Sequence, residues 1–148
     1  MYWLDFLANG RDAGEFDWRA IGGTWGMATS RLADWEPSGK TFMPASLKKI
    51  LSSISSPKND NGHILANYVA KYFEDIWMHI SDVGCILSGE GEFHYIVGNS
   101  TFYGTLLPVE EIYKAMLQEA GFNDVDITRI RKRNSKAELY EFDVTGKK

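Results

Sequence analysis

Residues able to do chemistry gather at two places in the chain. Arg129, Arg131, Lys132, Arg133 and Lys136 put five cations into eight positions beside a polar break in strand-like sequence. Cationic side chains release condensed counterions from a nucleic-acid backbone, so such a cluster suits phosphate contact. A solvated strand end has the same composition. The second place is Gly98-Asn99-Ser100, which closes the apolar run Phe-His-Tyr-Ile-Val (93–97). Glycine and asparagine tolerate positive φ, so a plain turn accounts for them. Ligands of α/β sheets also sit beyond the carboxyl ends of strands, so a polar edge reaching a ligand accounts for them equally.

Other reactive residue types carry weaker signals. His63, His79 and His94 lack metal-ligand spacing with one another and with Cys85, and no metal site is expected. His79 projects onto the apolar face of a helix and His94 lies mid-strand, so both are expected as hydrogen-bonded core histidines. Cys85 has no basic neighbour in sequence to lower its pKa and is expected as an inert, buried thiol. Ser38-Gly39-Lys40-Thr41 lacks the first glycine of a phosphate loop, because Asp34 stands there and no strand precedes it. Gly89-Glu90-Gly91 leads from a helix into a strand, the reverse of a dinucleotide loop, and reads as a turn.

These residues need elements to hold them. The run 93–97 is short and rich in aromatic and β-branched residues, and Gly89, Gly91 and Gly98 bound it. With little polar alternation it predicts a strand buried on both faces. Before it, Ile64, Leu65, Tyr68, Val69, Tyr72, Phe73, Ile76, Trp77 and Ile80 recur at helical spacing, predicting a helix over 63–82. That stripe is broad enough to need a sheet and a second neighbour, and it leaves Asn67, Lys71, Glu74 and Ser81 outside. A shorter helix follows Pro44, with Leu47, Ile50, Leu51 and Ile54 on one face. Another follows Pro108, with Glu110 and Glu111 at the positive end of its dipole and Gly121 as its carboxyl cap. Residues 124–133 and 137–144 read as strands of an antiparallel hairpin. Residues 9–44 show little periodicity and predict a long irregular excursion pinned by Trp18, Trp25 and Trp35.

The totals fit one domain of 148 residues, with an aromatic-rich region at 1–62 and a helix-strand-helix-hairpin unit at 63–148. A net charge of −4 argues against indiscriminate nucleic-acid binding but permits a local basic patch. No apolar run approaches the ~20 residues of a membrane span. The amino terminus has no signal-peptide pattern, and a single cysteine suits a reducing, cytoplasmic setting.

Several of these segments, taken together, resemble a known family. Tyr-Phe-Glu-Asp-Ile (72–76), the turn at Ser88–Gly91, Tyr-Ile-Val-Gly-Asn-Ser (95–100), Leu-Pro (107–108), Gly-Phe (121–122) and the late Arg-Lys-Arg-Asn-Ser are similar to the carboxyl-side half of an S-adenosylmethionine-dependent DNA amino-methyltransferase. The aromatic opening Tyr2 to Leu7 resembles the segment that follows that family's catalytic motif, and Ile21-Gly22 its variable middle. The resemblance implies an α/β architecture: a partial Rossmann-like methyltransferase fold with a small mixed sheet. Strand 93–97 would lie beside the second hairpin strand, with the first hairpin strand outside. It also implies DNA as partner and S-adenosylmethionine as the family's cofactor. The glycine-rich cofactor loop and the Pro-Pro-Tyr motif are missing from this sequence, so no catalytic residue is assigned and cofactor binding by this chain alone is not expected. Gly98, Asn99, Ser100, Arg129, Arg131, Lys132 and Arg133 are the candidate DNA-side residues. A cut-down sheet would leave the 93–97 edge bare, implying a homodimer or a separate amino-terminal half.

Overall fold

The computed structural model describes residues 7–23, 30–134 and 138–148. Expectations for Tyr2 to Phe6, for Trp25 and for Lys136 lie outside the described residues. In chain order the elements are helices α1 (Gly10–Arg19), α2 (Ala45–Ile54) and α3 (Gly62–Ile86), then strands β1 (Glu92–Gly98), β2 (Ser100–Phe102) and β3 (Thr105–Leu107). Helix α4 (Val109–Glu119) and strands β4 (Asn123–Lys132) and β5 (Tyr140–Lys147) complete the order. The architecture is mixed α/β. No helix among the described residues is long and apolar enough to cross a membrane.

Helix α3 follows its apolar stripe and continues a turn beyond the predicted end at Asp82. Its buried side includes Val69, Phe73, Ile76 and Ile80. The second neighbour is the amino-terminal region. Asn67, expected on the outside, donates from Nδ2 to the carbonyls of Leu32 at 2.8 Å and Trp35 at 3.0 Å. The Lys71 ammonium pairs with Asp75 and lies 4.9 Å from the centre of the Trp18 ring. The outer polar residues of the helix therefore clamp the segment that precedes it.

That segment is less irregular than its sequence suggests. Residues 10–19 form α1 although Gly10 and Gly14 each cost about 1 kcal/mol of helix propensity relative to alanine. Capping offsets this. Asn9 Oδ1 accepts from the amides of Arg11 (2.9 Å) and Asp12 (3.1 Å), and Asp12 Oδ2 reaches back to the amide of Ala8. The irregular reading is corrected for this stretch.

The main sheet has the order β1-β5-β4, and both pairings are antiparallel. The 93–97 strand does lie beside the second hairpin strand, with the first one outside. The expected mixed sheet is corrected, because β1 and β4 run parallel to each other but are separated by β5. The expectation of a strand buried on both faces is corrected as well. Phe93 and Val97 are buried and Tyr95 is half-buried, while His94 and Ile96 on the opposite face are exposed. Helices α3 and α4 both cover the Phe93 face, as ring contacts of Tyr95 with His79 and Tyr113 demonstrate. Among the described residues no helix covers the other face. An antiparallel sheet can leave one face in water, and Ile96 stands in that face at 62% exposure.

Two local features were not read from the sequence. Ser100–Leu107 is a second, two-stranded hairpin, turning at Tyr103 (φ 48°) and Gly104 (φ 77°). Positive φ at both central residues is the type I′ arrangement that matches strand twist. Strand β5 begins at Tyr140 and runs to Lys147, past the expected end at Val144, while the expected start at Ala137 lies outside the described residues; register shifts against β4 occur at Asn123/Asp126 and Arg129/Arg131.

The core is continuous from α2 through α3 and α4 to the sheet, and Phe73 at 0% exposure lies at its centre. Phe73→Ala is expected to destabilise the fold by about 3–5 kcal/mol. Urea denaturation checks this, and a loss below about 1 kcal/mol would remove Phe73 from the core.

Candidate functional site

The carboxyl end of β1 is where the candidate residues meet. Lys148 N donates to the Gly91 carbonyl at 3.1 Å, which extends the β1–β5 register by one hydrogen-bonded pair. Pairs of this kind recur every second residue. Backbone groups of Phe93, Tyr95 and Val97 therefore face β5, and those of Glu92, His94, Ile96 and Gly98 face away. No strand pairs with that outer edge among the described residues. Beside it opens a cleft of about 430 Å³, walled by Tyr68, Val69 and Tyr72 of α3, Tyr95 and Val97 of β1, and Phe102 of β2. The Tyr72 and Tyr113 hydroxyls share a hydrogen bond of 2.7 Å at its floor. Burial pushes both phenols above their ordinary pKa and keeps them neutral.

Beyond the strand, Asn99 is buried at 4% exposure. Its Oδ1 accepts from Tyr140 N at 2.8 Å, and its carbonyl accepts from Arg133 Nη1 at 3.2 Å. A side chain at Gly98 would place its Cβ 3.0 Å from that same Nη1. The structure thus brings Gly98, Asn99 and Arg133 together, two groups that lie far apart in sequence. Ser100 starts β2 and lines the cleft. The Asn99 side chain latches the end of β1 to the start of β5. Neither Gly98 nor Asn99 has positive φ and the chain passes from β1 to β2 without a turn, so the turn reading is corrected.

The other candidate cations have partners. Arg131 makes a bidentate pair with Glu141 at 2.7 and 3.2 Å, and Lys132 pairs with Glu138 at 2.8 Å. The Arg129 guanidinium lies 4.8 Å from the centre of the Tyr140 ring. Arg131 and Lys132 hold the carboxyls of Glu141 and Glu138 below the usual glutamate range. These exposed pairs contribute little to stability, and salt screens them. A phosphate could displace the carboxylates, but the cluster is far less positive than its sequence suggests. Glu138 and Glu141 were missed as counterions. Strand alternation with the correct register would have found Glu141 opposite Arg131, and the register depends on a bulge at Ile130 that the sequence does not announce.

Two single-residue expectations are corrected. His94 is exposed rather than in the core, because its side of β1 is bare. Its Nδ1 lies 2.9 Å from Asp143 Oδ2, and that contact raises its pKa. Cys85 is exposed in the last turn of α3, rather than buried. No group of three His, Cys, Asp or Glu side chains able to hold a metal occurs among the described residues. The Ser38–Thr41 segment is a surface turn in which Ser38 N donates to Glu74.

Comparison with known proteins adds no relative: no family model matches the chain, and neither the curated proteins nor the solved structures contain a significant match.

Two measurements follow from this geometry. Asn99→Ala strands the part-buried amide of Tyr140 and is expected to cost about 1 kcal/mol in chemical denaturation. An unchanged midpoint would show that the latch is dispensable. Glu110, in the first turn of α4, is buried with Oε2 unpartnered, and burial raises its pKa. The folded state therefore holds this proton more tightly than the unfolded chain. Its contribution is full below the ordinary glutamate value and is lost as pH rises through the raised native one. Glu110→Gln is expected to flatten that decline and stabilise the protein at neutral pH, as thermal melts across pH will register.

Proposed function

We propose that this chain is the carboxyl-side portion of an S-adenosylmethionine-dependent DNA amino-methyltransferase, of the kind found in restriction-modification systems, and that it is inactive by itself. The observation that carries the reading is the order β1-β5-β4 with α4 crossing from β1 to the parallel β4. Both α3 and α4 lie on one face, and the free edge of β1 stands where the next strand of a Rossmann-like sheet would run. The resemblance places this region as the family's fifth strand, its flanking helices and its closing hairpin.

The residues present do not fit the cofactor. The described residues contain no glycine-rich turn that leads from a strand into a helix. The cleft beside β1 offers phenols and apolar walls, with no carboxylate in its lining to hold ribose hydroxyls. No step of methyl transfer is therefore assigned to this chain. Its own contribution would be on the DNA side. Arg129, Arg131, Lys132 and Arg133 stand at one end of the sheet, next to Gly98, Asn99 and Ser100, and would meet phosphates there. In the whole enzyme a flipped base would be presented nearby. The open edge would receive either a separate amino-terminal half or a second copy.

A second reading is a non-catalytic DNA- or protein-binding module derived from the same fold. It is favoured by the clustering of four cations at a sheet end that lacks any catalytic group. Duplex DNA separates the readings. The purified chain is expected to transfer no methyl group from labelled S-adenosylmethionine, and turnover would refute the proposal. Salt-sensitive DNA retardation that is lost in the Arg131→Glu, Arg133→Glu double variant would favour the binding module. Activity restored by a co-expressed amino-terminal half would favour the enzyme fragment.

A further inference from the structure

We infer that Arg131 and Arg133 form a site for one phosphate group, and that Glu141 is the anion that occupies it when no phosphate is bound. The choice of a nucleic-acid phosphate rests on the DNA-side reading above, and the inference names how that contact is regulated. In sequence the cations from Arg129 to Arg133 look like one patch. The sheet divides them. Arg129 stands opposite Phe142 and Lys132 opposite Tyr140, whereas Arg131, past a register shift, stands opposite Glu141. Side chains directly opposite each other on neighbouring strands share a face. Arg129 and Lys132 therefore lie on the face of Tyr140 and Phe142, both against the Tyr140 ring. Arg131 lies on the bare face, in one row with Glu141 and Gly98. Arg133 joins that row, because a side chain at Gly98 would place its Cβ 3.0 Å from the Arg133 Nη1.

Both guanidiniums act on the same carboxylate. Arg131 grips Glu141 through Nε and Nη2 at 2.7 and 3.2 Å, a two-point fork that paired phosphate oxygens also satisfy. Arg131 foremost, with Arg133 adding its field, holds the Glu141 carboxyl below the usual glutamate range, so it is charged at neutral pH. Arg133 donates to the Asn99 carbonyl at 3.2 Å, which fixes its head group beside the row. A guanidinium carries five N–H donors, more than one carbonyl takes up. The next acid on this face, Asp143, is engaged by His94. Two cations thus share one carboxylate, and the Arg131 side chain is 70% exposed. A phosphate entering from solvent takes over the Arg131 fork and draws in Arg133, while Glu141 turns out to water. Until it turns, the carboxylate repels the newcomer, so it weakens phosphate binding without abolishing it. Lys132 and Glu138 form a comparable pair away from this row, at 2.8 Å.

The test compares Glu141→Gln with Glu138→Gln in the full chain, two variants that remove the same charge from different places. Inorganic phosphate is titrated at constant ionic strength while NMR follows the Nε–H signals of Arg131 and Arg133. Glu141→Gln is expected to tighten phosphate binding about three- to fivefold, the scale of one exposed ion pair, and Glu138→Gln by less than about twofold. Adding Arg133→Ala to Glu141→Gln should cancel the gain. The inference is overturned if phosphate moves neither signal in Glu141→Gln even at high millimolar concentration, or if the two Gln variants gain equally. Duplex DNA supplies the second arm. Retardation that strengthens in Glu141→Gln and weakens in Arg133→Ala supports the site. DNA binding that ignores both changes overturns the inference and leaves the DNA-side reading standing. Phosphate binding that follows Glu141, in a chain that binds no DNA, upholds the site and removes that reading instead.

Discussion

The structure depends on how β1 is supported, which is on one edge and one face. Its inner side chains, Phe93, Tyr95 and Val97, are held by rings from α3, α4 and the segment before β4, with Phe93 against Phe122 at 4.9 Å and Tyr95 against Tyr113 at 5.5 Å. Its second edge is joined to β5 along the whole strand. Among the described residues the remaining edge and face have no such support. The cleft, the exposed Ile96 and the outward histidine all follow from that asymmetry. A strand in this position is stable because aromatic packing on one face and a full ladder on one edge suffice for a short element.

The same asymmetry organises charge. The bare face collects the polar partners of the sheet, with Arg131 against Glu141 in facing positions of neighbouring strands and His94 reaching diagonally to Asp143. At the carboxyl end, Asn99 and Arg133 tie β1, β5 and the end of β4 into one corner. That corner gathers the cations suited to phosphate and also neutralises most of them. Any anionic partner must compete with Glu138 and Glu141 for the same side chains, which makes salt dependence an intrinsic property of the site.

The amino-terminal region plays a different part. By covering the outer face of α3 with Trp18, Leu32 and the carbonyls that Asn67 caps, it lets a single helix be apolar over more than half its circumference. Helix α3 then transmits packing from this layer to the sheet.

How much of this was legible in the residues differs by element. Helices α2, α3 and α4 were readable because apolar side chains at 3.6-residue spacing encode their own burial, and Pro44, Pro108 and Gly121 mark boundaries locally. The hairpin and its place beside 93–97 were also readable, the first from alternation and the second from resemblance. The capped α1 was hidden by its glycines, and the β2–β3 hairpin by the weak turn signal of Tyr103-Gly104. What residues 93–97 could not disclose was how many of their faces and edges would be covered. A side chain's type records what it tolerates, whereas burial and pairing are set by distant segments. The tertiary structure therefore decided that His94 and Cys85 face water, that Asn99 is a latch, and that Glu138 and Glu141 answer the basic cluster.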